Sequence, residues 1–409
     1  MAHTYIHNGT LIDGNGGDPV PNAAVLIEDN VIKEVGSQDQ VQKPQGEVNE
    51  IDANGGFILP GMIDTHVHIM FEGLNLMQHM LSPFSLSFYN SIHFMRKTLD
   101  AGVTSVRDAG GADLGTKVAV EQGLVDGPRL QISISVLTTT GGHVDFWMRS
   151  GIKFELLVPH PGRPDGQCDG VEEVRKKVRE VLRAGADIIK VCSTGGVGSP
   201  TDHPEFTQYC EEELRVMVQE AHFRKGLKVM SHAQGAEGVK TAVRAGIHSI
   251  EHGIFLDDEA IELMLKNGTY LVPTLLAPVS VIDQADSVPP WALEKAKATV
   301  DDHRVSIEKA HKAGVKIAMG TDAGVMPHGT NLRELGLMCD IGMTPMESIV
   351  ATTKTAAECL GWNHLGTLET GKLADLIISK ADPIADIRSL ENNDNIPVVM
   401  KDGKPVKTL

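Results

Sequence analysis

Residues 57–69 read FILPGMIDTHVHI, an apolar, β-rich run that ends in two histidines, His66 and His68, one residue apart. In a strand, side chains two positions apart share a face. The two imidazoles therefore converge on one point, which suits a divalent metal. A hydrogen-bonded pair in a core or on a surface would leave the same short motif, so its meaning depends on the rest of the chain.

From this run onward, short apolar stretches alternate with amphipathic ones such as GVEEVRKKVREVLRAGAD (170–187) and TQYCEEELRVMVQEAHFRKG (207–226). Strand and helix by turns predicts an α/β chain with a parallel sheet. The candidate strands are FILPGMIDTHVHI, VTSVRDAG, LQISISVLT, DIIKVCSTGG, KVMSHAQG, HSIEHG, YLVPTLL and VKIAMGTDAG. Eight is the number that closes a (β/α)8 TIM barrel, whose chemistry sits at the C-terminal ends of the strands. The two chain ends differ: YIHNGTLIDGNGG at the start, and GKLADLIISKADP and PVVMKDGKPVKTL at the finish, are short β runs divided by Asn-Gly, Gly-Gly and Asp-Gly turn signals. They predict one small β-sandwich domain built from residues 1–56 plus 365–409, with the barrel spanning 57–364.

Polar residues gather where a barrel would place its site. His232, His252 and Asp322 each lie just past an apolar run, with glycine within three residues. Lys190 ends the fourth strand. An ammonium cannot bind a cation, but burial beside positive charge lowers the lysine pKa from about 10.4. The neutral amine can then add carbon dioxide, and the resulting carbamate can bridge two ions about 3.5–4 Å apart. A Schiff-base lysine and an ion pair with Glu251 are the competing readings. Three long connections, Val144 to Gly170, Ser199 to Tyr209 and Ala277 to Trp291, leave from the same side and are candidate lids.

Composition narrows the function classes. The chain has 409 residues, 41% of them hydrophobic, and a formal charge of −17. That charge repels phosphate backbones and anionic lipid, so neither nucleic acid nor a membrane is an expected partner. With no signal-peptide pattern and no long apolar run, the chain reads as cytoplasmic. The five cysteines form no CxxC pair and are expected as free thiols.

The run PGMIDTHVH, the strand-four lysine, the histidines after strands five and six and the aspartate after strand eight resemble the amidohydrolase superfamily along the whole chain. The resemblance implies a binuclear centre: His66, His68 and Asp322 on the more buried metal, His232 and His252 on the exposed one, and carboxylated Lys190 between them, with zinc the default metal. Asp322 would shuttle the proton from the attacking hydroxide to the departing nitrogen. The segments SVRDAGG, TTTGGHVD, STGGVGSPTD and GTDAGVMPHGTN are most similar to the group of imidazolonepropionase-like enzymes and metal-dependent Xaa-Pro and Xaa-Arg or Xaa-Lys dipeptidases.

In that group His143 matches a histidine that contacts the substrate carbonyl or its tetrahedral successor, and a buried histidine holding the loop is the competing reading. Arg107 could grip a substrate carboxylate or pair with Asp108, and His328 could face the same mouth or pack its loop. Gln234 stands where proline-selective members carry tyrosine, which puts a proline preference in question. A basic C-terminal residue would need an acid from Asp145, Glu155, Asp165, Asp202 or Glu205. The leading expectation is a dipeptidase, or an amidase acting on an N-acyl amino acid, with a dipeptide or acyl-amino acid as small-molecule partner and a homo-oligomeric state. A cyclic-amide hydrolase, a deaminase, a xenobiotic amidase and a catalytically silent scaffold are the alternatives.

Overall fold

A computed structural model describes residues 2–148 and 150–408 of the chain. Its first strands are β1 (His3–Leu11), β2 (Val20–Glu28), β3 (Val31–Ser37), β4 (Asn49–Asp52) and β5 (Phe57–Pro60). Between β2 and β3 the chain reverses at Asp29, whose φ of 56° is the left-handed conformation that Asp and Asn tolerate. There follow β6 (Met62–Val67), β7 (Val103–Asp108), β8 (Arg129–Ile132) and β9 (Val136–Leu137). A short hairpin, β10 (Phe146–Trp147) with β11 (Lys153–Phe154), precedes β12 (Ile189–Cys192), β13 (Val229–Gly235), β14 (Ser249–Phe255) and β15 (Tyr270–Val272). The chain finishes with β16 (Leu376–Ser379), β17 (Val398–Lys401) and β18 (Lys404–Thr408).

The two chain ends meet in one eight-stranded sheet in the order β18-β17-β16-β5-β1-β2-β3, with β4 beside β1. Alternate residues of β1 and β2 bury opposite faces: Ile6, Val25 and Ile27 in one apolar cluster, Tyr5, Ala24 and Leu26 in another. The run 57–69, expected as one strand, is two. Phe57–Pro60 pairs antiparallel with β16, whereas Met62–Val67 pairs parallel with β7. The hand-over falls at Gly61, where a Cβ would lie 2.2 Å from Thr104 Oγ1, so only glycine lets the backbone pass that close.

The middle of the chain alternates strand and helix. β6, β7 and β8 form one parallel sheet, and β9, β12, β13, β14 and β15 another. β8 and β9 are the two halves of the expected strand LQISISVLT, broken where Ile134 takes a left-handed φ of 67°. The expected last strand, 315–324, forms single bridges instead of a ladder. Ala318 N donates to Leu271 O at 2.9 Å on one side, and Thr65 N donates to Met319 O at 3.0 Å on the other. Parallel bridges join Leu271 to Ile317 and Val67 to Ala323. The main apolar core lies between these strands and the helices that follow them, with Val106, Ile189, Ile250, Val178, Met217 and Ile307 among its members.

Because Thr104 is β-branched and cannot swing aside, Gly61→Ala should lower stability by about 1–3 kcal/mol. Thr104→Ala, which deletes a buried hydroxyl that lacks a partner, should recover most of that loss in the double variant. Chemical denaturation of the three variants measures this, and additive losses would contradict the steric account.

Candidate metal centre

The expected ligand residues come together at the ends of the parallel strands. His66 lies in β6, Lys190 in β12, His232 in β13 and His252 in β14, while His68 follows β6 and Asp322 lies in the last bridged segment, between its bridges at Ile317 and Ala323. His252 and Asp322 have φ of 75° and 66°, sparsely populated for non-glycine residues and typical of functional sites. The glycines around Asp322 are explained by crowding. A Cβ on Gly320 would sit 3.0 Å from His66 Cβ, and one on Gly324 2.8 Å from His68 Cβ.

Each histidine has one ring nitrogen tied to a fixed partner. His66 Nδ1 donates to Glu251 Oε2 at 2.8 Å, and His68 Nδ1 to the Gly110 carbonyl at 2.8 Å. His232 Nε2 donates to the Gly195 carbonyl at 3.0 Å, and His252 Nδ1 lies 2.7 Å from Thr274 Oγ1. The second nitrogen of each ring is left for a ligand, as in metal-binding histidines, whose other nitrogen is usually held in this way. His66 Nε2 and His68 Nε2 lie 3.4 and 3.3 Å from Asp322 Oδ1, a buried oxygen that no hydrogen bond satisfies. Ligand atoms of His66, His252 and Asp322 fall within 4.8 Å of one another, so the tightest group takes members from both of the ligand sets expected from sequence. Imidazoles with one free nitrogen each around an unsatisfied carboxylate fit a divalent cation.

Electrostatics point the same way. Burial, with Lys190 nearby, holds the His66 pKa well below its usual value, and burial does the same to His232 and His252. Lys190 is lowered chiefly by burial. His68 differs: burial would lower its pKa, but the Asp322 carboxylate beside it outweighs that and raises it. Burial alone would raise Asp322, but its pairing with these neighbours lowers it below the usual carboxylate range. Glu251 is not free to pair with Lys190. It accepts from Arg107 Nη2 at 3.0 and 3.1 Å, from Ser249 Oγ at 2.6 Å and from His66 Nδ1.

The other residues singled out from sequence divide into two groups. His143 and Gln234 line the cavity with the ligands, and the His143 ring stacks on His232 at 4.1 Å. Arg107 does not. It is fully buried behind the ligands, bound to Glu251 and to the Thr65 carbonyl at 2.6 Å, which corrects both its substrate-gripping role and its pairing with Asp108. His328 is also turned away from the cavity: its Nε2 donates to the Phe71 carbonyl at 3.1 Å and its ring stacks on Phe94.

Two of the three long connections wall the cavity, the first through Phe146, Leu156 and Leu157 and the third through Ala277, Pro278 and Val281; the second, Ser199 to Tyr209, does not line it, and only Val197 and Gly198 just before it do. The cavity holds about 920 Å³ counted to its open mouth, within the roughly 300–1,000 Å³ of small-molecule sites. None of Asp145, Glu155, Asp165, Asp202 or Glu205 lines it. Sequence reading gave no site role to Thr274 or Ser199. It weighed Glu251 only as a partner for Lys190, although the alternation of SIEH places Glu251 beside a ligand.

With this geometry established, comparison with known proteins is specific. The Amidohydrolase family matches residues 57–406, and the chain belongs to that family. It is therefore a hydrolytic enzyme acting on C–N bonds, which sets aside the silent scaffold. The chain is 33% identical to ochratoxinase of Aspergillus niger over 99% of its own length and 86% of that protein's. A prolidase crystallised with N-methylphosphonate-L-proline superposes with a TM-score of 0.92 at 34% identity over 100% of both chains. A Xaa-Pro dipeptidase with methionine bound in its active site gives 0.90 at 35% identity, over 99% of this chain and 100% of the other. These likenesses imply a TIM-barrel-like α/β fold. Among the described residues, no helix is long and apolar enough to cross a membrane.

The His328 pKa is pushed down by burial to about 4, against about 6.5 in an unfolded chain. Below pH 6.5 the unfolded chain takes up a proton that the folded ring refuses, so His328 adds stability above that pH and loses it as pH falls toward 4. The stability advantage of the native chain over His328→Gln, measured by urea unfolding, should shrink between pH 7 and 4.5. An advantage that grows with acid would contradict the buried neutral ring.

Proposed function

We propose that the chain is a binuclear metal-dependent amide hydrolase that releases a C-terminal amino acid from a dipeptide or an N-acyl amino acid. The observation that carries the reading is the convergence of His66, His68, His232, His252, Lys190 and Asp322 at the floor of an apolar cavity. His66, His68 and Asp322 would hold one divalent ion and His232 and His252 a second, with zinc the default. Neutral Lys190 Nζ would add carbon dioxide and lose one proton, giving a carbamate between the two. When bound, such ions supply an acidified water and polarise the scissile carbonyl.

The chain's own groups account for the remaining steps. Asp322 takes a proton from the attacking water and passes it to the departing nitrogen, which must leave as a neutral amine. His143, stacked on His232, donates from Nε2 to the carbonyl oxygen as negative charge builds on it, acting as the imidazolium because its Nδ1 proton is directed to Asp202. Phe71, Leu74, Phe146, Leu156, Ile254 and Val281 line the wall and keep competing water out. That wall offers no free acid, so it favours an apolar C-terminal residue over arginine or lysine. Two relatives support this reading, one holding methionine in its active site and one complexed with N-methylphosphonate-L-proline.

The fold reading that accompanies this function is a closed (β/α)8 barrel spanning about 62–364, with a small β domain from residues 1–60 and 365–409. The bridges from Leu271 to Ile317 and from Val67 to Ala323 support closure. A cytoplasmic homo-oligomer is the proposed setting.

Zinc-loaded protein offered dipeptides and N-acyl amino acids grouped by C-terminal residue should release apolar amino acids. Arginine and lysine should be released at least about tenfold more slowly, a difference of roughly 1.4 kcal/mol. Lys190→Ala should abolish release. No release by fully metallated protein would overturn the assignment as a dipeptidase or N-acyl-amino-acid hydrolase, and preferential release of basic residues would overturn the apolar reading of the wall.

A further inference from the structure

His143 lies on a loop, yet the proposed chemistry needs its ring fixed. Its Nδ1 lies 2.8 Å from Ser199 Oγ and 3.2 Å from Asp202 Oδ2. Asp202 is buried, and the same Oδ2 accepts from Gly196 N at 3.0 Å while Oδ1 accepts from Lys295 Nζ at 3.1 Å. Lys295 belongs to the helix Pro290–Ala313 that follows the third long connection. Its ammonium also donates to the carbonyls of Gly196, Ser199 and Asp202 at 2.9, 2.8 and 2.6 Å. An ammonium has three donors, so Lys295 has none to spare for a substrate. One helical turn earlier, Trp291 Nε1 donates to the Gly198 carbonyl at 3.1 Å. Gly196 lies against the rings themselves, and a Cβ there would meet His143 Cε1 at 2.5 Å and His232 Cε1 at 2.8 Å.

We propose that Asp202 and Lys295 are positioning residues for this hydrolase, a relay by which the helix 290–313 fixes the His143 ring over the metal centre. The proposal rests on the reading of His143 as the group that contacts the substrate carbonyl. Lys295 holds the loop 196–202 by its carbonyls and neutralises Asp202, and Asp202 with Ser199 orients Nδ1 so that Nε2 is presented to the cavity. Asp202 therefore acts on the reaction, not on the choice of C-terminal residue, and Lys295 acts only through it. Loss of either should weaken the step in which charge builds on the carbonyl oxygen and spare ground-state binding in the apolar wall.

The test is a double-mutant cycle on the full-length, zinc-loaded enzyme, using a dipeptide that the native protein cleaves. Asp202→Asn and Lys295→Met should each lower kcat about 10–100-fold with KM moved less than about threefold. In a His143→Ala background neither should cost anything further. Losses that add in that background, or that fall on KM alone, would overturn the relay. Asp202→Asn keeps the side-chain shape and carries the cycle alone should Lys295→Met fail to fold.

A second readout does not depend on turnover: the ring N–H signals of the histidines in a ¹⁵N-labelled sample, with His143 assigned by its loss in His143→Ala. A slowly exchanging Nδ1–H that exchanges faster in Asp202→Asn supports the relay, and an unchanged signal overturns it. Absence of turnover in the native protein would count against the proposed function alone, and the exchange rates would then decide the relay.

Discussion

The site depends on packing four imidazoles and one amine side by side in a space where burial penalises positive charge: it lowers the pKa of His66, His232, His252 and Lys190, while Asp322 offsets it at His68. That is possible only if each ring has a fixed partner and the charge behind it is balanced. Glu251 does this for His66: it is fully buried and bound to Arg107, Ser249 and His66 together. Removing one member of such a group leaves a bare buried charge, at a cost of roughly 3–5 kcal/mol. Arg107 therefore belongs to the scaffold of the metal centre although it touches nothing in the cavity.

The backbone is shaped to the same end. His252 and Asp322 hold left-handed conformations, and Gly320 and Gly324 let the last bridged segment lie against His66 and His68. The parallel strands bring the residues to one level, and these local departures turn the side chains toward each other. Outside this polar floor the cavity is lined mainly by apolar side chains, among them Phe146, Leu156 and Leu157 of the first long connection and Ala277, Pro278 and Val281 of the third. The combination separates two tasks, with chemistry on the strand ends and selectivity on the loops.

Much of this was legible in the sequence, because strand periodicity fixes which residues share a face and the ligand types are rare in such positions. The gathering of His66, His68, Lys190, His232, His252 and Asp322 at the strand ends and the strand-bearing segments follow from that pattern; the joining of the two chain ends follows from their similar short β runs, and the metal-binding roles come from the family resemblance. What escaped depends on contacts between distant segments. Arg107 looked like a substrate clamp because its partner Glu251 lies on another strand, and adjacent Asp108 was the only visible candidate. His328 looked like a mouth residue because nothing in MPHGTN shows that Phe71 and Phe94 enclose it. Asp202 looked like a specificity acid because Lys295 is almost a hundred residues away. The split at Gly61 has a local signal, the Pro-Gly pair, but its cause is the approach of Thr104.

The most direct measurement is metal content per chain after loading with zinc in bicarbonate buffer and removal of free metal, for the native protein and Lys190→Ala. The account predicts two ions per native chain and fewer in the variant, with a ¹³C carbamate signal from labelled bicarbonate present only in the native protein. One ion or none in the native chain, or two in both proteins without a carbamate signal, would contradict it.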